Sequence, residues 1–501
     1  MSGSIEIWVK VYRQNKSLPT FRPFGFKRIV KPIWHGGISH NPIDLANHAI
    51  PNPTVSTALT EQPAPVSFWQ AFVFWLKLGF ISFGGPAGQI AIMHEELVVR
   101  RRWLSEKRFL HALNYCMVLP GPEAQQLATY IGWLMHKTRG GIAAGVLFVL
   151  PSLFMLIGLS WIYMAYGHVT WVAGLFYGIK PAVTAIVLQA AHRIGSRALK
   201  NNLLLAIAAA SFVAIFALNV PFPIIVLAAA IIGFLGGRMW PEFFSTAGGH
   251  AASHTNFGSA LINDDTPTPS HAMFSLKRLL QVLMAGLMLW VLPMGYLVIQ
   301  NGWDHTFTQM SWFFTKAALL TFGGAYAVLP YVFQGAVEQF GWVTATQMMD
   351  GLALGETTPG PLIMVVAFVG FVGGYVKAVL GPDSLFLAGA LAAMLVTWFT
   401  FLPSFIFILA GGPFVESTHN NLKFTAPLTA ITAAVVGVIV NLALFFGYHT
   451  LWPQGFGGSL DLPSALIAVA AAFALFKFKR NVMQVIGVCG LIGICLQYAV
   501  K

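Results

Sequence analysis

Phe83-Gly84-Gly85-Pro86-Ala87-Gly88-Gln89 and Leu119-Pro120-Gly121-Pro122-Glu123-Ala124-Gln125-Gln126 are the stretches that decide how this chain folds. Both recur downstream. Phe322-Gly323-Gly324 answers Phe83-Gly84-Gly85, and Pro359-Gly360-Pro361 answers Pro120-Gly121-Pro122, each 239 residues on (83 to 322, 120 to 359). Lys77 and Lys316, Ser82 and Thr321, and Trp103 and Trp342 keep the same register. Beyond Pro361 the match slips by 13 residues, because Leu150-Pro151-Ser152 pairs with Leu402-Pro403-Ser404, 252 residues on (150 to 402). The slip marks a loop insertion around Gly381-Pro382. The chain is a tandem repeat, and each copy interrupts two apolar segments with glycine and proline.

Those segments belong in a bilayer. The chain has 501 residues, 56% of them hydrophobic and 9% charged, against about 25% charged in a soluble domain. Runs such as 142–161 and 385–399 approach the ~20 residues that span a membrane. The net charge of +12 does not argue for nucleic acid, because the basic residues sit in short loops between apolar runs, as membrane topology requires. Three cysteines without a CxxC spacing argue against disulfides and thiolate metal sites. Walker A, GxSxG and HExxH sequences are absent, so neither ATP-driven transport nor a familiar hydrolase is supported.

The expected fold class is an all-α polytopic membrane protein of two inverted repeats with Gly/Pro-broken, re-entrant helices, joined by one linking span. Residues 1–67 read as a polar, basic tail and 68–237 as the first repeat. Residues 238–308 read as a flexible linker (238–278) plus the linking span, and 309–501 as the second repeat. If the two broken segments of each repeat are hairpins that return to the face they entered, 24 of the 29 Lys/Arg fall on one side. Lys377 and Lys501 fall on the other, and Lys77, Lys180 and Lys316 stay in the membrane. The positive-inside rule then places the N-terminus in the cytoplasm and the C-terminus opposite. Four crossings per repeat plus one link invert the second repeat, an arrangement that puts a transport site at the midplane.

The breaks carry the expected chemistry. Glycine lets the backbone turn sharply, and Pro86, Pro122 and Pro361 each stand where a helix can restart. Restarted helices aim free N–H groups and positive dipole ends into the membrane, which suits an anion. Gly84, Gly85, Gly121, Gly323, Gly324 and Gly360 are the candidate backbone positions. Ala325 replaces proline in the second repeat, which predicts a poorer helix start there and unequal repeats. Lys77 lies nine residues into its segment (68 to 77), and a lysine that deep is a functional candidate by default; Lys316 repeats it. Glu123 either stabilises its helix start or accepts a proton, and Glu356 could serve similarly without aligning with it. Ser82, Gln125, Gln126, Thr321, Thr357 and Thr358 could donate hydrogen bonds to tetrahedral oxygens. His94, His111 and His136 sit toward basic loops, too far out for an intramembrane acid–base enzyme. His250 and His254 lack a nearby carboxylate pair, so neither a metal nor another cofactor is expected.

The segment Lys77 to Gly85, Trp103, the run Val118 to Ala128 (VLPGPEAQQLA), and in the second copy Lys316 to Gly324, Trp342 and Gly355 to Pro361 (GETTPGP) resemble the chromate ion transporter family in its long, two-domain form. The likeness covers roughly residues 68 to 500. It implies a non-enzymatic secondary transporter that exports chromate, a divalent tetrahedral oxyanion like sulfate, across the plasma membrane and confers chromate resistance, driven by membrane potential or a proton gradient. An anion channel, or a carrier of sulfate or another oxyanion, would use the same helix ends. The implied partners are the anion and the bilayer, and a homodimer is compatible with the sequence.

Overall fold

A computed structural model describes residues 63–83, 85–244, 257–417 and 425–499. Among them there are 17 helices and no strand; the chain is an all-α polytopic membrane protein. The first half comprises α1 (Phe68–Ile81), α2 (Gly85–His94), α3 (Glu106–Val118), α4 (Glu123–Tyr166), α5 (Thr170–Ala198), α6 (Asn202–Leu218), α7 (Phe222–Met239) and the short α8 (Pro241–Phe244). Helix α9 (Leu276–Asn301) links the halves. The second comprises α10 (Thr306–Leu319), α11 (Ala325–Phe333), α12 (Ala345–Thr357), α13 (Val365–Val376), α14 (Leu385–Ser417), α15 (Thr425–Leu451), α16 (Leu462–Phe476) and α17 (Val482–Ala499). Seven helical stretches are long and apolar enough to cross a membrane.

Local sequence explains where the elements stop. Helix α1 ends at Ser82 and α3 at Leu119, each directly before a break. Gly121 and Gly360 adopt φ of +129° and +106°, a conformation open to glycine and strained for other residues. The long α4 bends at His136 and Lys137, where Lys137 has φ +58°. The second repeat makes the same bend through residues 377–384, with Gly381 at φ +88°. That loop takes up part of the 13-residue slip, and a longer stretch of helix from Leu385 to Leu402 takes up most of the rest.

The register also holds in irregular backbone. A π-helical turn covers Glu95–Arg100 and another Gln334–Gln339, again 239 residues on (95 to 334). The Trp103 amide donates to the Leu97 carbonyl at 2.7 Å and the Trp342 amide to the Ala336 carbonyl at 2.8 Å. Both tryptophans are buried.

The repeats interlock. Helix α5 of the first packs on α16 and α17 of the second, and α15 of the second packs on α6 and α7 of the first. Small residues permit it: a Cβ at Gly178 would stand 1.9 Å from the Cys489 carbonyl oxygen, and one at Gly437 2.0 Å from that of Ala208. Glycine contacts of this kind are how helices approach closely in lipid.

The stretch expected as a flexible linker is not free chain over residues 257–272. The amides of Leu261 and Ile262 donate to the carbonyls of Arg102 and Trp103, and Arg108 binds the carbonyls of Asn263 and Thr266. His271 reaches the Trp133 carbonyl at 3.0 Å. The linker docks mainly through its backbone amides and carbonyls, with Asp264 adding a side-chain bond from the Ser105 hydroxyl.

Candidate functional site

The four breaks meet in crossed pairs. Gly121 of the first repeat donates its N–H to the carbonyl of Thr321 in the second, at 2.7 Å. Gly360 of the second donates to the carbonyl of Ser82 in the first, at 2.8 Å. Each Pro-Gly-Pro break is thus tied to the opposite Phe-Gly-Gly break. The serines of the Leu-Pro-Ser pair close the same crossings: a Cβ at Gly121 would lie 2.3 Å from Ser404 Oγ, and one at Gly360 2.7 Å from Ser152 Cβ. Gln89 adds a clasp, its amide donating to the carbonyls of Gly360 and, at 3.3 Å, Ser82.

Capping separates these helix starts from several others. Ser67, Ser105, Asn201, Thr344 and Asp461 each cap the helix that follows with a side-chain oxygen. Pro122 before α4, Gly324 before α11 and Pro361 before the 3₁₀ turn Leu362–Met364 give no side-chain cap. Helices α5 and α9 also lack a side-chain cap, but they open at loops, and the first N–H of α7, on Phe222, donates to Gln334 Oε1 at 3.2 Å. First-turn N–H groups at a buried helix start need a partner, and they are suited to an anion.

Among the buried polar atoms without a hydrogen-bond partner are Ser82 Oγ, Ser152 Oγ, and the Oε1 atoms of Gln89, Gln125 and Gln126. All five residues are essentially inaccessible. Orphaned groups of this kind call for an explanation; Ser82, Ser152 and Gln89 lie at the Gly360 crossing and Gln126 at the Gly121 crossing.

The structure sorts the sequence candidates. Ser82, Gly121, Gln125, Gln126, Thr321, Gly324, Thr358 and Gly360 are buried at or beside the crossings. Gly85 and Thr357 are partly buried, Gly323 is exposed, and Gly84 lies outside the described residues, as do His250 and His254. The threonine hydroxyls are engaged: Thr321 donates to Ala317, Thr357 to Ala353 and Thr358 to Gly355. Gln125 donates to Thr129 and Gln126 to the Pro120 carbonyl. Glu123 is partly buried. Glu356 accepts the Tyr326 hydroxyl, and the Arg193 guanidinium lies 5.8 Å from that tyrosine ring. Lys77 is exposed on the α1 face shared with Val73, Leu76 and Phe80, so it is not packed into a crossing. Lys316 is partly buried, its ammonium 5.7 Å from the Trp312 ring. His94 pairs with Glu106, and His136 contacts the Val66 carbonyl. The second repeat starts α11 on Ala325 immediately after Gly324 (φ +97°), so the missing proline does not prevent a helix start.

Sequence reasoning passed over Gln89, Ser152 and Ser404 as site residues. The signal is present in the chain: Gln89 stands in the opening motif, and Ser152 and Ser404 close the two Leu-Pro-Ser runs that share a register. It also passed over Asp350, an acidic residue in an apolar segment.

These features define a class: a helical membrane transport protein built from two interlocked repeats whose broken helices meet inside the fold. The family follows from comparison. The profile of the chromate transporter family matches residues 69–234 and 308–494, and the chain belongs to that family. It is 33% identical to the chromate transport protein of Pseudomonas aeruginosa over 90% of this chain and 98% of that protein. It is 26% identical to the chromate transport protein of Cupriavidus metallidurans, covering 85% and 93%. A probable chromate transport protein of Synechococcus elongatus is also 26% identical, covering 83% and 92%. No solved structure matches.

Proposed function

We propose that this chain is a secondary transporter that carries chromate outward across the plasma membrane, with sulfate as a competing oxyanion. The N-terminus lies in the cytoplasm and the C-terminus opposite, and the anion binds where the four breaks cross. The observation that carries the proposal is the uncapped start at Pro361 with the buried, unpartnered hydroxyls of Ser82 and Ser152 beside it at the Gly360 crossing, in a member of this family. A dianion stripped of water needs such donors. Outward movement is downhill: with the interior negative, two negative charges leaving gain about 4–5 kcal/mol per 100 mV.

A carrier fits better than a channel. Neither crossing has room for a methyl group at Gly121 or Gly360, so the path is closed there and the repeats must part to admit an anion. The test is radiolabelled chromate uptake into inverted vesicles, with and without a membrane potential, a pH gradient and excess sulfate. Saturable uptake that sulfate inhibits is expected. Uptake equal to that of vesicles lacking the protein would overturn the proposal.

A further inference from the structure

Asp350 stands apart from the anion site. It is 2% exposed, on α12, eight residues before Thr358 at the break (350 to 358), or about 12 Å at 1.5 Å per residue. Its Oδ2 accepts the Tyr163 hydroxyl from α4 at 2.9 Å and lies 3.9 Å from the Lys180 ammonium on α5. Its Oδ1 is buried with no hydrogen-bond partner, which holds for no other carboxylate oxygen among the described residues. Two other buried acids differ: Glu416 is held by Arg108 at 2.7 Å and by Tyr130, and Glu356 by Tyr326.

We propose that Asp350 is a proton-binding site coupled to anion binding, with Lys180 and the proton as alternative partners of the carboxylate. The inference rests on the transport reading above. A buried carboxylate must be compensated, and Lys180 at 3.9 Å does so loosely. Its side chain is 27% exposed, so it can withdraw. Its backbone cannot: Pro181 follows it, and Gly178 abuts the Cys489 carbonyl. The proton has a place, on Oδ1. The remaining surroundings are fixed and uncharged. The Tyr163 ring is packed edge-on by Phe176 and Phe368, and the neighbouring Met349 receives Thr450 from α15. Lys180 and Tyr163 are the charged or titratable groups that act on Asp350.

The consequence runs along α12. When Asp350 takes up one proton, its charge is lost and Lys180 no longer draws α12 to α5. Three residues beyond the far end of α12 (357 to 360) stands Gly360, which holds Ser82. Releasing α12 loosens that crossing and opens the site, so proton and oxyanion occupancy rise together, and each must promote the other equally.

The test uses the purified full-length protein in detergent at mildly alkaline pH, where free chromate carries both charges. Chromate binding is expected to draw one proton from solution, seen with a pH dye, and affinity to fall roughly tenfold per pH unit. Asp350→Asn should bind chromate with no proton uptake and no pH dependence, and Asp350→Glu should restore both. Chromate binding without proton uptake in the unmodified protein would overturn the coupling while leaving the transport function standing. Unchanged proton uptake in Asp350→Asn would overturn the assignment to this residue. Absence of chromate binding in the unmodified protein would overturn the transport reading itself. Should Asp350→Asn fail to fold, the pH midpoint of proton uptake is compared between the unmodified protein and Asp350→Glu: a displaced midpoint assigns the proton to this residue, and an identical one overturns the assignment.

Discussion

Gly360 donates its backbone N–H to the carbonyl oxygen of Ser82 at 2.8 Å, across 278 residues of chain (82 to 360). Gly121 and Thr321 make the reciprocal bond. The two exchanges pin the ends of four broken helices to one another, so the backbone at these glycines supports both fold and site.

Gly121→Ala and Gly360→Ala are therefore expected to lower stability and transport together. The left-handed φ alone costs about 1–3 kcal/mol for a residue with a Cβ, and each new methyl also meets a serine of the opposite repeat. Gly158 on α4 has open space around a built Cβ, and alanine there should leave the thermal midpoint unchanged or slightly higher. Thermal unfolding in detergent measures all three. Equal midpoints for Gly121→Ala and Gly158→Ala would show the crossing to be slack.

Ser82→Ala and Ser152→Ala should separate stability from binding. Neither hydroxyl has a hydrogen-bond partner in this conformation, so removing it leaves the midpoint unchanged. A hydrogen bond to a charged group is worth about 1.5–3 kcal/mol, so chromate affinity should fall roughly 10- to 100-fold. Unchanged affinity in both variants would move the anion elsewhere.

Arg108 and Glu416 form an ion pair whose carboxylate side is 1% exposed, and Arg108 also holds the 257–272 strap. Removing one partner strands a buried charge, which costs about 3–5 kcal/mol. Glu416→Gln and Arg108→Met should each be clearly destabilised, and the double variant Arg108→Met, Glu416→Met less than the sum. Additive losses in a double-mutant cycle would show the pair to be uncoupled.

Much of this was legible in the chain, and the misses have physical causes. Segment ends, the repeat register and the insertion follow from glycine, proline and hydropathy, which act locally. Which break meets which does not, because the pairing of Gly121 with Thr321 is a tertiary exchange between equivalent apolar segments. The threonines looked like ligand donors by type. Whether a hydroxyl turns to its own helix, as in Thr321, or stays unpaired, as in Ser82, depends on a rotamer that composition does not fix. Asp350 was readable as a lone acid in apolar sequence, but its partners Tyr163 and Lys180 come from helices far away in the chain.

The inversion of the repeats can be checked from outside. Lys107 on α3 and Thr346 on α12 are register partners (107 to 346), the first exposed and the second partly buried. In a background without Cys116, Cys489 and Cys495, single cysteines at these two positions should label from opposite faces with an impermeant reagent. Labelling from the same face would refute the inversion.

Lys77 and Lys316 occupy the same register but not the same surroundings, and their variants should differ accordingly. Lys316 is partly buried, its ammonium near the Trp312 ring, an attraction of about 0.5–2 kcal/mol. Lys77 is exposed five residues before Ser82 (77 to 82), with apolar side chains around it. A charged lysine there has no packing role to lose, and at membrane depth it is costly unless water or an anion meets it. Lys77→Gln should therefore leave the amount of protein in the membrane and its thermal midpoint unchanged while abolishing chromate resistance. Lys77→Arg keeps the charge with a different donor geometry and should retain part of the transport. Lys316→Gln should lose some stability and less transport. Vesicle uptake and membrane abundance, measured on the same preparations, decide it: full transport by Lys77→Gln would remove that lysine from the anion's path and leave the crossings of Gly121 and Gly360 to bind the charge alone.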